Sequence, residues 1–405
     1  MKKHLYFWTS IFCFWITSLP AFSQDHQQNY ADVVLDDKEG IRILARDTSA
    51  GINLRFRIQN RTDFQTQSGR DLDLASHGGY IKRLRLRSSG FLLSKKLTYS
   101  LQLGFSPGDM DLENSEDPQI IRDAIVFYQF TPHLKIGLGQ SKLPGNRQRV
   151  ISSGEQQFVD RSIVNATFTL DRDFGLFAFY QNQLGNMPIH LQAAISNGDG
   201  RNASPVKGSG VAYTGRVEAL PFGEFTMDGD YFEGDWVREP SPKLSIGVSF
   251  SENDNAYRAG GQIGRPLPGF TDLQSLIADM VFKYNGWATY HEYNRRTAGT
   301  PVFSGPTEDN ETDFVFAGHG YNGQLSYQFP SHFELAGRYS VITPTREVER
   351  LVQQTKQYTL AANYYLRWHR IKLQSDLTYQ TKDFLPITND TQDAWILRIQ
   401  VELGI

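Results

Sequence analysis

The chain of 405 residues carries 41 basic and 44 acidic side chains, a formal charge of −3, 13% aromatic residues and a mean hydropathy of −0.43. The acidic balance argues against nucleic-acid binding. With Cys13 as the single cysteine there is no disulfide framework, and no run of about 20 apolar residues follows residue 24, which excludes membrane-spanning helices.

Lys2 and Lys3 precede an apolar stretch from Leu5 to Leu19, and Ala21-Phe22-Ser23 puts small residues at the −3 and −1 positions before Gln24. Residues 1–23 therefore read as a secretory leader. The apolar stretch of about 15 residues is shorter than the ~20 that a spanning anchor needs. Cys13 leaves with the leader. Loss of Lys2 and Lys3 leaves 39 basic against 44 acidic side chains, a net of −5. Residues 24–51 are expected to form a periplasmic lead-in, and residues 52–405 a single domain.

From Ile52 onward the chain reads in steps of two, which average hydropathy conceals. Ile52, Leu54, Phe56 and Ile58 alternate with Asn53, Arg55, Arg57, Gln59 and Arg61. Leu84, Leu86 and Leu92 oppose Arg83, Arg85 and Arg87, and Leu97, Tyr99, Leu101, Leu103 and Phe105 oppose Thr98, Ser100 and Gln102. Stretches near 122–130 and 173–181 alternate poorly. The rhythm returns at Leu244, Ile246, Val248 and Phe250, at Tyr358 to Leu366 and at Ile371 to Tyr379. It ends with Trp395, Leu397, Ile399, Val401, Leu403 and Ile405 facing away from Arg398, Gln400 and Glu402.

Short connections at 94–96, 131–133, 182–187, 285–286, 330–332 and 368–370 alternate with long ones at 62–79, 106–119, 142–171, 197–209, 252–274, 297–317, 343–355 and 382–393. Short turns at one end and long loops at the other describe an all-β transmembrane antiparallel barrel of about 16 strands, with both termini on the short-turn side. Sixteen strands enclose an aqueous lumen. Residues 221–242 break the pattern, as a long periplasmic excursion or as two further strands. A soluble β-sandwich also alternates, but Tyr and Trp near the strand ends and the unequal loops favour the membrane.

An arginine facing lipid at the bilayer midplane costs roughly 2–4 kcal/mol, so the polar face is the lumen. Strand parity sends fourteen cations inward: Arg55, Arg57, Arg61, Arg83, Arg85, Arg87, Lys135, Arg216, Lys243, Lys283, Arg338, Arg367, Lys372 and Arg398. Seven acids accompany them: Asp123, Glu218, Asp279, Glu292, Glu334, Asp376 and Glu402. Such a lumen favours small anions. The alternative is that individual arginines only pair with acids across the lumen.

Several segments resemble the phosphate-selective porin O and P family. These are Gly40-Ile41-Arg42-Ile43 with Leu54-Arg55-Phe56-Arg57-Ile58-Gln59, Arg83-Leu84-Arg85-Leu86, Gly139-Gln140-Ser141-Lys142-Leu143-Pro144, Asp160-Arg161-Ser162-Ile163-Val164-Asn165 and Arg172-Asp173-Phe174-Gly175. Asn197-Gly198-Asp199-Gly200, Gly215-Arg216-Val217-Glu218, Glu292-Tyr293 and Asn363-Tyr364-Tyr365 extend the likeness from about residue 40 to the C-terminus. The resemblance implies an outer-membrane porin, usually a homotrimer in contact with lipid and lipopolysaccharide, with its third loop folded into the lumen and passing phosphate or other small anions. It implies that Lys142, Arg147, Arg149 and Arg161 belong to that constriction loop, and it implies no cofactor. Asn146, where an aromatic often follows the proline, and the terminal Ile405 depart from the family pattern.

Two other chemistries find less support in the sequence. A barrel-embedded hydrolase needs a nucleophile beside a histidine, and neither His190 nor His291 accompanies a Gly-x-Ser-x-Gly signature. Asp109, Asp111, Glu113, Glu116 and Asp117 can be read as a calcium loop, but they lack EF-hand spacing, which favours a solvated or lipopolysaccharide-facing loop.

Overall fold

The computed structural model describes residues 31–36, 40–112, 117–204, 206–303, 312–385 and 391–405. The expected leader lies outside them. A hairpin of β1 (Ala31–Asp36) and β2 (Gly40–Ala45) precedes β3 (Ala50–Thr66), β4 (Leu74–Leu92) and β5 (Ser94–Gly104). After the helical turn α1 (Pro107–Met110) come β6 (Ile121–Gln129) and β7 (Leu134–Lys142), then the short helices α2 (Arg147–Val150) and α3 (Ile163–Phe168). β8 (Arg172–Leu184), β9 (Met187–Ser196), β10 (Ala212–Ala219), β11 (Lys243–Arg258), β12 (Pro266–Tyr284) and β13 (Trp287–Ala298) follow. A two-residue ladder of β14 (Val302–Phe303) and β15 (Asp313–Phe314) decorates the sixth loop. The chain ends with β16 (Gly318–Gln328), β17 (Phe333–Pro344), β18 (Gln354–Arg367), β19 (Ile371–Asp383) and β20 (Thr391–Gly404).

Strands β3–β13 and β16–β20 pair each with the next, all antiparallel, and β20 pairs with β3 to close a sixteen-stranded barrel. Closure removes the unpaired edges that an open sheet would expose to lipid. At the seam Gly404 reaches Arg57, and beyond it β2 takes over the same edge of β3, setting Ile41 opposite Leu54. Phe56 and Ile405 exchange backbone hydrogen bonds of 3.2 and 3.0 Å there. Part of the lead-in is thus a hairpin that prolongs the wall.

Burial decides which face is inside. On β20, Ile399, Val401 and Leu403 are 46–48% exposed, whereas Gln400 and Glu402 are each 1% exposed. An apolar exterior around a polar interior is stable only in a bilayer. Aromatic contacts sit where the belt meets water. Trp287, Tyr327 and Phe329 pack together at the turn end, and Tyr379 packs on Trp395 toward the loops.

Three local features depart from the period-two reading. The first and fifth loops shrink to residues 67–73 and 259–265, because the strands continue beyond the apolar belt. Backbone ladders persist there without lipid to demand alternation. The weak alternation on β6 and β8 arises because Ile125 and Phe177 face inward and pack on Leu143 and Leu170 of the third loop. Residues 220–242 hold no strand and a single 3-10 turn at Gly229–Tyr231, so the excursion, not the extra hairpin, is what forms.

Candidate functional site: a divided lumen

The third loop, residues 143–171, enters the lumen and attaches to the inner wall of β10–β19. Asn146 donates to Asn294 at 2.8 Å, and Arg147 is wholly buried against Asp279 at 2.5 Å, Glu218 at 2.9 Å and Asp230 at 3.5 Å. Lys372 donates to the carbonyls of Gly154 and Gln156, Arg338 donates to that of Asp160, and the Val159 amide donates to Asp376. The Ser162 hydroxyl caps α3 by accepting from the Asn165 amide, and Val164 and Phe168 pack on Ile342. A loop held by this many buried, satisfied polar contacts is a fixed partition.

Residues 220–242 rise against the same partition from the periplasmic end. Glu233 accepts from the Gln148 side chain at 2.9 Å and the Gln157 amide at 3.0 Å, while Lys283 donates to the Phe232 carbonyl at 2.8 Å. The two segments fill the half of the lumen that faces β10–β19.

The open space lies along the other wall. An upper space of about 310 Å³ is lined by Arg85, Arg87, Arg122, Asp123, Lys142, Arg149, Glu155, Arg161 and Arg172, among others. A lower one of about 40 Å³ is lined by Arg55, Arg57, Arg85, Arg87, Glu155, Arg370 and Glu402, with Trp368 and His369 beside them. Arg85, Arg87, Gln102, Ser152 and Glu155 line both and so mark their junction. Across the two spaces ten cationic residues face three carboxylates.

Register explains this concentration. The β3–β4 ladder sets Arg55 directly opposite Arg87 and Arg57 opposite Arg85, a placement that like charges disfavour. Carboxylates from distant segments offset it: Glu155 at 3.9 Å from Arg55, Glu402 at 3.8 Å from Arg57, and Asp109 of α1 on Arg85 and Arg122. Arg87 has no carboxylate within 4.0 Å among the described residues, and its Nε is buried without a partner. Two β-bulges add cations that alternation hides. The register slips by one at Lys82 on β4 and at Arg122 on β6. Lys82 then lies 3.8 Å from Asp160, and Arg122 lies 3.0 Å from Asp109.

The expected basic residues fall into two groups. Arg55, Arg57, Arg85, Arg87, Lys142, Arg149 and Arg161 line the open spaces. Lys142 is the last residue of β7 rather than part of the loop, and it donates to the Val150 carbonyl at 2.6 Å. Arg161 is spent on the carbonyls of Gln148 and Ile151, and Arg149 on Asp171. The other group is tied down. Arg61 binds Asp63 and Asp160, and Arg83 donates to Gln59 at 2.7 Å. Arg216 is enclosed by Glu218 and Asp279, and Arg147 anchors the loop away from the open space. Arg172, on Asp123 at 2.9 Å, was missed because β8 alternates poorly.

The acidic loops are not purely external. Asp109 of the second loop turns inward onto Arg85 and Arg122, so the β4 arginine run has a counter-charge that strand parity does not name. Burial alone would raise the carboxyls of Asp109, Asp160 and Asp171. Nearby cations overcome it (Arg85 and Arg122 for Asp109, Lys82 and Arg61 for Asp160, Arg149 and Arg172 for Asp171) and hold all three well below the ordinary carboxylate range. With Asp109 so engaged, the calcium reading of 109–117 loses a ligand; Glu113 and Glu116 lie outside the described residues. Among the described residues no group of three or more His, Cys, Asp or Glu side chains is placed to hold a metal.

A closed sixteen-stranded barrel with an apolar belt, a lumen partitioned by its third loop and a charged open space along one wall is the architecture of an outer-membrane porin. The model of the phosphate-selective porin O and P family matches residues 52–403, and the chain belongs to that family. Its fold is similar to the anion-selective porin from Comamonas acidovorans, with a TM-score of 0.55 at 10% identity over 88% of this chain and 100% of that one. It is also similar to the outer-membrane channel DcaP of Acinetobacter baumannii, with 0.52, 11%, 89% and 99% for the same measures. For Salmonella typhi OmpF in complex with daunomycin the values are 0.52, 12%, 92% and 100%. No curated protein matches the chain by sequence. Family and fold point to a channel and not to an enzyme.

Proposed function

We propose that the chain is an anion-preferring porin of the outer membrane, passing phosphate and other small anions by diffusion along the β3–β8 wall. The observation that carries this reading is the surplus of ten cationic over three acidic residues around the open space, with Arg85 and Arg87 at the junction every solute meets. A low-dielectric channel wall focuses that charge and enriches counter-ions inside. The name of the Comamonas protein, an anion-selective porin, fits this reading. The leader and the family support assembly as a homotrimer in the outer membrane, in contact with lipid and lipopolysaccharide.

A second reading, a general and weakly selective porin, draws on the pairing of Arg85 and Arg122 with Asp109, Arg149 with Asp171 and Arg172 with Asp123. Planar-bilayer recording under a potassium chloride gradient separates the two. The anion reading expects a reversal potential on the chloride side and reduced chloride current when phosphate is added. A potential near zero favours the general porin, and one on the potassium side refutes both accounts of the charge.

A further inference from the structure

The one long connection on the short-turn side, residues 220–242, does not hang into the periplasm. It crosses the mouth of the barrel from β10 and fastens to successive turns. The Gly286 amide donates to Asp235 at 2.7 Å, Arg238 donates to the Gln328 carbonyl, and Trp236 meets Trp368 edge-on with ring centroids 4.2 Å apart. Its acidic residues are used inside: Asp235 is fully buried, and Glu233 clasps the third loop from below. Gly234, at φ +73°, passes so close to the wall that a Cβ there would lie 2.3 Å from a Glu334 carboxylate oxygen. Buried polar groups this well matched hold a segment in one place.

We infer that residues 220–242 are a floor that limits the pore: they close the half-lumen behind the third loop and brace that loop, so that solute has only the cation-lined lane. Without the floor, the space it fills beneath the loop opens to the periplasm and Lys283 and Glu334 face water. Current then flows on both sides of the partition.

The limit on conductance rests on the porin fold alone, and the accompanying selectivity rests on the anion reading above. The test is single-channel recording of the full chain with residues 224–240 replaced by a short Gly-Ser turn, and separately of Gly234→Val. The replacement is expected to raise conductance by at least about two-fold, since a sixteen-stranded lumen is wide once cleared, and to move the reversal potential toward zero. Gly234→Val, which displaces the strap by one side chain, is expected to raise conductance less and to add open-channel noise. It decides the matter when the replacement does not assemble. Wild-type conductance in the assembled replacement, or wild-type conductance and noise in Gly234→Val, overturns the floor. A wild-type channel without anion preference overturns the reading of the lane and leaves the conductance result to judge the floor.

Discussion

Replacing Arg87 with glutamine isolates the electrostatic contribution of one wall residue. Arg87 lines the junction of the two open spaces and lies opposite Arg55 with no carboxylate within 4.0 Å among the described residues, so its removal breaks no ion pair. Relief of the Arg55–Arg87 repulsion leaves stability unchanged or slightly raised, by a few tenths of a kcal/mol. A monovalent ion passing roughly 5 Å from the guanidinium feels about 0.8 kcal/mol at the dielectric constant of water. A Debye length of ~10 Å in 0.1 M salt trims this to about 0.5 kcal/mol. Anions lose that attraction and cations lose an equal repulsion, so the permeability ratio shifts by about 1 kcal/mol, or roughly five-fold toward cations. Reversal potentials of wild type and Arg87→Gln in the same salt gradient measure it. An unchanged potential in a barrel of wild-type thermal stability would refute the placement of Arg87 beside the permeating ions.

Asp109→Asn should increase anion preference while lowering the unfolding temperature of the barrel. It leaves Arg85 and Arg122 buried without their shared carboxylate, a loss of about 3 kcal/mol or more. Arg147→Gln leaves Glu218 and Asp279 to Arg216 and takes from Asp230 its cation behind the third loop, and should cost about 3–5 kcal/mol, with noisy, larger-conductance openings as the loop detaches. Arg83→Glu with Arg85→Glu should shift selectivity to cations, chiefly through Arg85, because Arg83 is turned onto Gln59. The carboxyls of Asp109, Asp160 and Asp171 have folded values below their unfolded ones. Their stabilisation is present above about pH 4 and is lost only as pH falls through the folded values. The gain in anion preference from Asp109→Asn should therefore be the same at pH 8 and pH 5, and a smaller gain at pH 5 would contradict the ion pairs assigned to Asp109.

Architecture was the legible part of the sequence, because a lipid face and a wet face impose one rule on every residue of a spanning strand. Arg83, Arg85 and Arg87 against Leu84 and Leu86 state that rule without ambiguity. The site was legible only in part. Parity names the side of the wall but not what stands in front of it, so Arg216 looked like Arg85 until the loop contacts separated them, and Arg147, assigned to the constriction loop by resemblance alone, anchors that loop to the wall instead. Bulges at Lys82 and Arg122 broke the count of two locally, and Arg172 lay on a strand apolar on both faces because it carries the third loop. Asp109 and Glu233 act across more than 20 residues of chain, a distance at which no local pattern speaks.

Solute is expected to move along the β3–β8 wall and not behind the third loop. Cys13 is the only cysteine in the sequence and is expected to leave with the leader, so single cysteines can report access. Gln102 lines both open spaces, and Ser245 is fully buried behind the loop beside Arg147. During bilayer recording, a small anionic thiol reagent is expected to modify Gln102→Cys rapidly and reduce its current, while Ser245→Cys stays unmodified. Rapid block of Ser245→Cys with Gln102→Cys inert would contradict the account.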